Sequence, residues 1–206
     1  MKTREGFTLI EMLVVLGIIG VLIGATIGGY SGIKKAAERT RVQELVNNTA
    51  TALTALYNKE GVWPRKLRTE GQTDGRLTED VAYALASGNY MSLSYDESSK
   101  QLTGYNRLGI VTPWAEAVIK RKGTAATKGD KIQSGGTIED HILHFALDLD
   151  GDGIIEGASV GGESINIRAT AAVWCGGKDG KIEKYSAGRK KDDVYSWAYG
   201  QTVNVK

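Results

Sequence analysis

A chain of 206 residues with 26 Lys plus Arg against 24 Asp plus Glu carries a formal charge of +2. That balance excludes the strongly basic footprint of a nucleic-acid-binding protein. The 27 glycines concentrate after the N-terminal third, which reads as helix first and turns with strands later, an α+β pattern. The length accommodates one compact domain plus an extended element. A single cysteine, Cys175, rules out an internal disulfide, so an exported domain of this kind has to be held by its core or by metal ions.

The chain opens with a short polar stretch, Met1 to Gly6, carrying the cations Lys2 and Arg4. An apolar run follows from Phe7 to about Gly29, with Glu11 its only charge. The 18 residues from Met12 to Gly29 are uncharged and as a helix would reach about 27 Å, close to a bilayer core. Cations ahead of the span place the N-terminus in the cytoplasm. An ordinary secretory signal would want a small-x-small cleavage site after the run, for which Gly24-Ala25 is a loose fit. The positions of Gly6 and Glu11 suit something else.

Gly6-Phe7-Thr8-Leu9-Ile10-Glu11 resembles the type IV prepilin motif. The resemblance implies that a membrane prepilin peptidase cuts on the cytoplasmic side after Gly6. Phe7 then becomes the N-terminus and is N-methylated, and the apolar helix is retained. It also implies a partner for Glu11, whose carboxylate would cost about 3 kcal/mol in hydrocarbon. That partner is the terminal amine of a neighbouring subunit, and the pair sets axial register during assembly. The alternative is a glutamate snorkelling to the cytoplasmic interface.

Beyond the apolar run, Val42, Leu45, Val46, Thr49, Ala52, Leu53 and Leu56 recur at helical spacing. Asn58-Lys59-Glu60-Gly61 followed by Pro64 is a stop signal. One helix from about Thr8 to Lys59 would be roughly 75 Å long. Many pilins carry a proline in its first half; here Gly24, Gly28 and Gly29 stand instead, serving either local melting or close packing of helices. The expected organisation is a cleaved leader 1–6, a transmembrane and assembly helix 7–30, its amphipathic continuation 31–60, and a globular periplasmic domain 61–206.

Tyr57-Asn-Lys-Glu-Gly-Val-Trp-Pro64 is similar to the turn that follows the long helix in pseudopilins of type II secretion systems. Thr78 with Glu79 and Asp80 caps a short helix to about Ala86. Thr112-Pro113-Trp114 resembles a proline-tryptophan element of that family, with Ala115 where the family has glycine. Residues 123–136 read as an exposed loop. Alternation predicts strands over Ile138 to Leu149 and Ser164 to Trp174, with shorter ones at Val194 to Trp197 and Thr202 to Val205. A long N-terminal helix packed by its second half on a small antiparallel sheet is the pilin-like α+β architecture.

Two acidic segments are candidate calcium sites. Asp148-Leu149-Asp150-Gly151-Asp152-Gly153 has calcium-loop spacing, with alternate carboxylates able to converge on one cation. It is no EF-hand, because Ser159 stands at the twelfth position and the flanking segment reads as strand. Glu156 is a further candidate ligand, and a solvated acidic turn is the alternative. The second segment pairs Trp174-Cys-Gly-Gly-Lys-Asp179-Gly180 with Asp192-Asp193-Val-Tyr-Ser-Trp197. It looks like the C-terminal calcium loop of major pseudopilins. That resemblance implies side-chain ligands Asp179, Asp192 and Asp193, with backbone carbonyls near Trp174 to Gly177. Lys178, Arg189, Lys190 and Lys191 depart from a calcium-friendly field, and a salt-linked loop is the alternative.

No nucleophile elbow, phosphate loop or H-E-x-x-H occurs in the sequence, and the reading is not enzymatic. His141 and His144 read as ordinary strand residues, and Cys175 as a small buried side chain. The resemblance implies a pseudopilin-like subunit, anchored in the inner membrane with its C-terminal domain in the periplasm, that polymerises through its N-terminal helix into a periplasmic type II secretion fibre. Its expected partners are itself, other pilins or pseudopilins, the prepilin peptidase and the membrane assembly platform, with no nucleic acid. A type IV pilus subunit, or a minor subunit capping a fibre, are the alternatives.

Overall fold

The computed structural model describes residues 8–187, 192–197 and 201–202, with the side chains of 25–31, 105 and 187 outside that description. Gly6 and Phe7 also lie outside the described residues, as do Arg189, Lys190, Lys191 and the end of the last expected strand. Two units divide the chain, one ending at Thr40 and the other beginning at Arg41. Helix α1 (Leu9–Glu60) contributes to both.

In the first unit α1 carries a run of large apolar side chains from Leu9 to Ile23, each 45–84% exposed. In the second unit the same helix becomes one-sided. Val42, Val46, Thr49, Ala52, Leu53 and Leu56 are buried, and Glu44, Asn47, Asn48 and Thr51 are exposed. This is the stripe that the periodicity predicts, and burying it against the sheet stabilises the helix more than propensity does.

Helix α2 (Arg65–Glu70) follows Pro64, and strand β1 (Gly75–Arg76) leads into α3 (Glu79–Ser87), which buries Val81, Ala82, Leu85 and Ala86. A small hairpin, β2 (Tyr95–Asp96) with β3 (Gln101–Leu102), precedes α4 (Pro113–Lys122). Strands β4 (His144–Leu147), β5 (Ile155–Val160), β6 (Glu163–Ile167), β7 (Ala171–Cys175) and β8 (Val194–Tyr195) complete the fold. The main sheet has the order β1-β4-β7-β8 and is antiparallel throughout, while β5 and β6 form a separate hairpin.

Both faces of the main sheet are covered. Phe145 and Leu147 of β4 and Ala171, Val173 and Cys175 of β7 join the α1 stripe and α3 in one core. Ala146, Ala172 and Trp174 point the other way, onto Ile155, Ala158, Val160 and Ile167 of the hairpin and onto Trp197. A third cluster gathers α4 around Ala115, Val118 and Ile119 with Ile132, Ile138 and Ile142.

The structure refines three sequence-based expectations. Ser164 to Trp174 is not one strand but β6 and β7, separated at 168–170. The period-two pattern runs through the break because Ile165 and Ile167 face the hairpin cluster while Ala171 and Val173 face α1. The expected strand from Ile138 is interrupted by a 3₁₀ turn at Glu139–His141. There Asp140 accepts from the N–H and the hydroxyl of Thr137, each at 2.8 Å, and turns the chain. Thr112-Pro113-Trp114, read above only as a proline-tryptophan element, opens α4, with Thr112 at the N-cap and Lys120, Arg121 and Lys122 in the last turn. Proline at the first helical position with cations at the far end was a legible signal for this helix.

Candidate assembly segment and acidic sites

At the start of α1 the Thr8 backbone N–H and hydroxyl both donate to the Glu11 carboxylate, each at 2.8 Å. The Glu11 N–H returns to Thr8 Oγ1 at 3.4 Å. Threonine at the N-cap with glutamate three residues on is a capping box, and the spacing Thr8-x-x-Glu11 announces it in the sequence. The Glu11 carboxylate therefore has local partners before any neighbouring subunit is considered.

Among the described residues no helix is long and apolar enough to cross a membrane. The part of the expected span with described side chains, Met12 to Gly24, is 13 residues, about 20 Å of helix against a core of about 30 Å. Residues 25–29 make up the remainder of that span.

The turn between β4 and β5 places Asp148, Asp150 and Asp152 so that one carboxylate oxygen of each lies within 4.8 Å of the others. Asp148 is buried, and Asp150 and Asp152 are exposed. Asp148 accepts from Gly151 N–H at 2.7 Å and from Gly153 N–H at 2.8 Å, and Asp152 accepts from Ile154 N–H at 2.7 Å. Gly151 has φ +82°, a conformation that glycine adopts without steric cost. Oxygens at 2.3–2.6 Å from a shared calcium fall within this span of one another, so the triad fits an ion. Glu156 is exposed on β5 and is not a member of the group.

The C-terminal segment is arranged differently. Asp179 accepts from Lys181 N–H at 3.0 Å, within its own turn. Asp192, exposed, accepts from Lys178 N–H at 2.7 Å. Asp193, 4% exposed, accepts from Gly177 N–H at 3.3 Å and Glu183 N–H at 3.0 Å, and from the Tyr195 hydroxyl at 3.0 Å. The three carboxylates do not converge: among the described residues the only such acidic group is Asp148, Asp150 and Asp152.

Burial and the neighbouring Asp193 carboxylate push the Tyr195 hydroxyl well above its ordinary range. Burial, with Asp193 and Asp192, does the same to the Cys175 thiol. Cys175 is the inert buried residue expected from the sequence. His141 is fully buried in its 3₁₀ turn, facing Thr112 Oγ1 at 2.8 Å through Nδ1 and the Gly135 carbonyl at 3.2 Å through Nε2. His144 meets Asp74 at 2.5 Å and stacks on Trp174.

A long N-terminal helix, one-sided where it packs on an antiparallel sheet and carrying a run of large apolar side chains from Leu9 to Ile23, defines a pilin-like protein. The family model described as Prokaryotic N-terminal methylation motif matches residues 1–27. Type II secretion system protein H of Pseudomonas aeruginosa is 30% identical over 148 residues, covering 69% of this chain and 76% of that protein. Fimbrial protein EcpC of Eikenella corrodens is 26% identical over 91 residues (43% of this chain, 60% of that protein). Type IV major pilin protein PilE of Neisseria gonorrhoeae is 29% identical over 68 residues (33% and 41%). The chain thus spans 60% and 41% of the length of these two fimbrial relatives. The chain belongs to the type IV pilin and pseudopilin family, whose members are structural subunits and not enzymes. No solved structure matches it.

Proposed function

We propose that this chain is a pseudopilin-like subunit that polymerises through its N-terminal helix into a periplasmic type II secretion fibre. The observation that carries the reading is the similarity to type II secretion system protein H, which covers 76% of that protein and extends well beyond the shared N-terminal motif. The precursor is anchored in the inner membrane, a prepilin peptidase cuts after Gly6, Phe7 is methylated, and the helix enters the fibre. Glu11 exchanges its Thr8 hydrogen bonds for the terminal amine of a neighbouring subunit. Calcium is the ion for Asp148, Asp150 and Asp152, since three carboxylates on a short turn suit a hard cation. A surface type IV pilus subunit is the second reading, favoured by the similarity to fimbrial and major pilin proteins.

Gene deletion separates the two: loss of protein secretion with twitching intact supports the first, and the reverse supports the second. Within either, Glu11→Ala and Glu11→Gln are expected to leave a processed protein in the membrane with no fibres by electron microscopy. Fibre yield equal to the parent chain would remove Glu11 from the assembly step.

A further inference from the structure

The C-terminal segment poses a specific problem. It crosses from β7 to β8 through a long connection, cannot be pinned by a disulfide because Cys175 is alone, and does not gather its aspartates around a point. We infer that it is pinned without a metal, by the buried carboxylate of Asp193.

Three separate segments donate to that one side chain. Gly177 lies just after β7, Glu183 in the middle of the connection, and Tyr195 on β8 itself. The β7–β8 register pairs Cys175 with Val194, so one step further on Asp193 stands beside Gly176. The carboxylate is thereby held at the mouth of the connection, where it faces the backbone on both sides. A buried charge is tolerated when it accepts several hydrogen bonds, and those from backbone N–H groups to an ionised acceptor are among the stronger ones.

The glycines make the approach possible. A Cβ on Gly177 would fall inside the Asp192 carboxylate, and one on Gly176 would lie 2.6 Å from the backbone of Gly180. Asp192 then closes the same bend from outside through Lys178 N–H, and Asp179 closes the next turn through Lys181 N–H. Each aspartate of the segment thus serves as an acceptor for main-chain donors. Asp148 and Asp152 also accept main-chain N–H groups, but there three carboxylates lie together, as those of Asp179, Asp192 and Asp193 do not. The inference does not depend on whether the fibre serves secretion or a surface pilus.

The test is amide hydrogen exchange on the full chain in detergent, read at Gly177 and Glu183, with EDTA and with added calcium chloride. It is run in a background of Asp150→Asn and Asp152→Asn, so that an ion at the β4–β5 turn cannot contribute. Chelator and calcium are expected to leave both amides equally protected. Asp193→Asn is expected to accelerate exchange at both amides by about tenfold or more, the scale of one lost hydrogen bond. Where that variant does not fold, Tyr195→Phe, which removes a single donor, is expected to loosen Glu183 by a smaller factor. Protection at Gly177 and Glu183 that EDTA abolishes and calcium restores would overturn the inference. So would Asp193→Asn exchange equal to the parent chain.

Discussion

The indole N–H of Trp63 donates to the backbone carbonyl of Asp148 at 2.6 Å, joining residues 85 positions apart. Trp63 is buried and stacks on Tyr57 of α1 with ring centroids 4.7 Å apart. The turn that ends the long helix and the acidic turn of the sheet are therefore one structural unit. Replacing Trp63 by Phe keeps the stack and removes the donor, leaving a buried carbonyl short of a partner. A loss of about 1–2 kcal/mol is expected in urea unfolding, and an unchanged midpoint would show that the bond contributes nothing net.

The two kinds of aspartate in the acidic turn should respond differently. Asp148 holds two main-chain N–H groups from a buried position, so Asp148→Asn should lower stability even in metal-free buffer. Asp150 is exposed, so Asp150→Asn should leave metal-free stability within about 0.5 kcal/mol and weaken calcium binding by calorimetry. Equal affinity in the parent and in Asp150→Asn would argue against an ion at the triad.

His141 makes stability depend on pH. Burial is the main influence and lowers the imidazole below the ordinary histidine value of 6.5, against the opposing Gly135 carbonyl and the Asp140, Asp179 and Asp192 carboxylates. A carbonyl can only accept, so Nε2 carries the proton toward Gly135 and Nδ1 accepts from the Thr112 hydroxyl. The unfolded chain then binds more protons than the folded one just below pH 6.5, and stability falls as pH drops through that window. His141→Gln should flatten the unfolding free energy between about pH 6.5 and 5 relative to the parent chain. An identical slope in both would assign the dependence to other groups.

Cys175 sits on β7 with its side chain in the core, and burial together with Asp193 and Asp192 raises its thiol. Thiolate, the reactive form, is scarce and covered. Modification by a thiol reagent at pH 8 should therefore proceed only as fast as the chain opens, and at full rate in denaturant. Rapid labelling of the native protein would contradict this burial.

Much of the architecture is legible along the chain because it rests on local patterns. The stripe Val42, Val46, Leu53 and Leu56, the stop at Gly61 and Pro64, and the cap at Thr78 each depend on residues within one or two turns. The break between β6 and β7 was not legible, because a side chain facing the hairpin and one facing α1 satisfy the same alternation. Helix α4 is signalled locally by Pro113 at its start and by the trailing cations Lys120, Arg121 and Lys122. The capping box between Thr8 and Glu11 is equally legible, because it rests on a spacing of three residues.

The sequence alone determined the processing motif, the long helix with its change of character, and the absence of an internal disulfide. It also placed Asp148, Asp150 and Asp152 within reach of one another, since five residues of turn leave alternate side chains few ways to diverge. Only the tertiary structure decided what Asp179, Asp192 and Asp193 do. Gly177 and Asp193 are 16 positions apart, and their meeting depends on the β7–β8 register and on glycines that let carboxylates approach the main chain. A carboxylate near a cation and a carboxylate near an N–H look the same in sequence. What separates the two segments is convergence: the carboxylates of Asp148, Asp150 and Asp152 lie together, and those of Asp179, Asp192 and Asp193 do not.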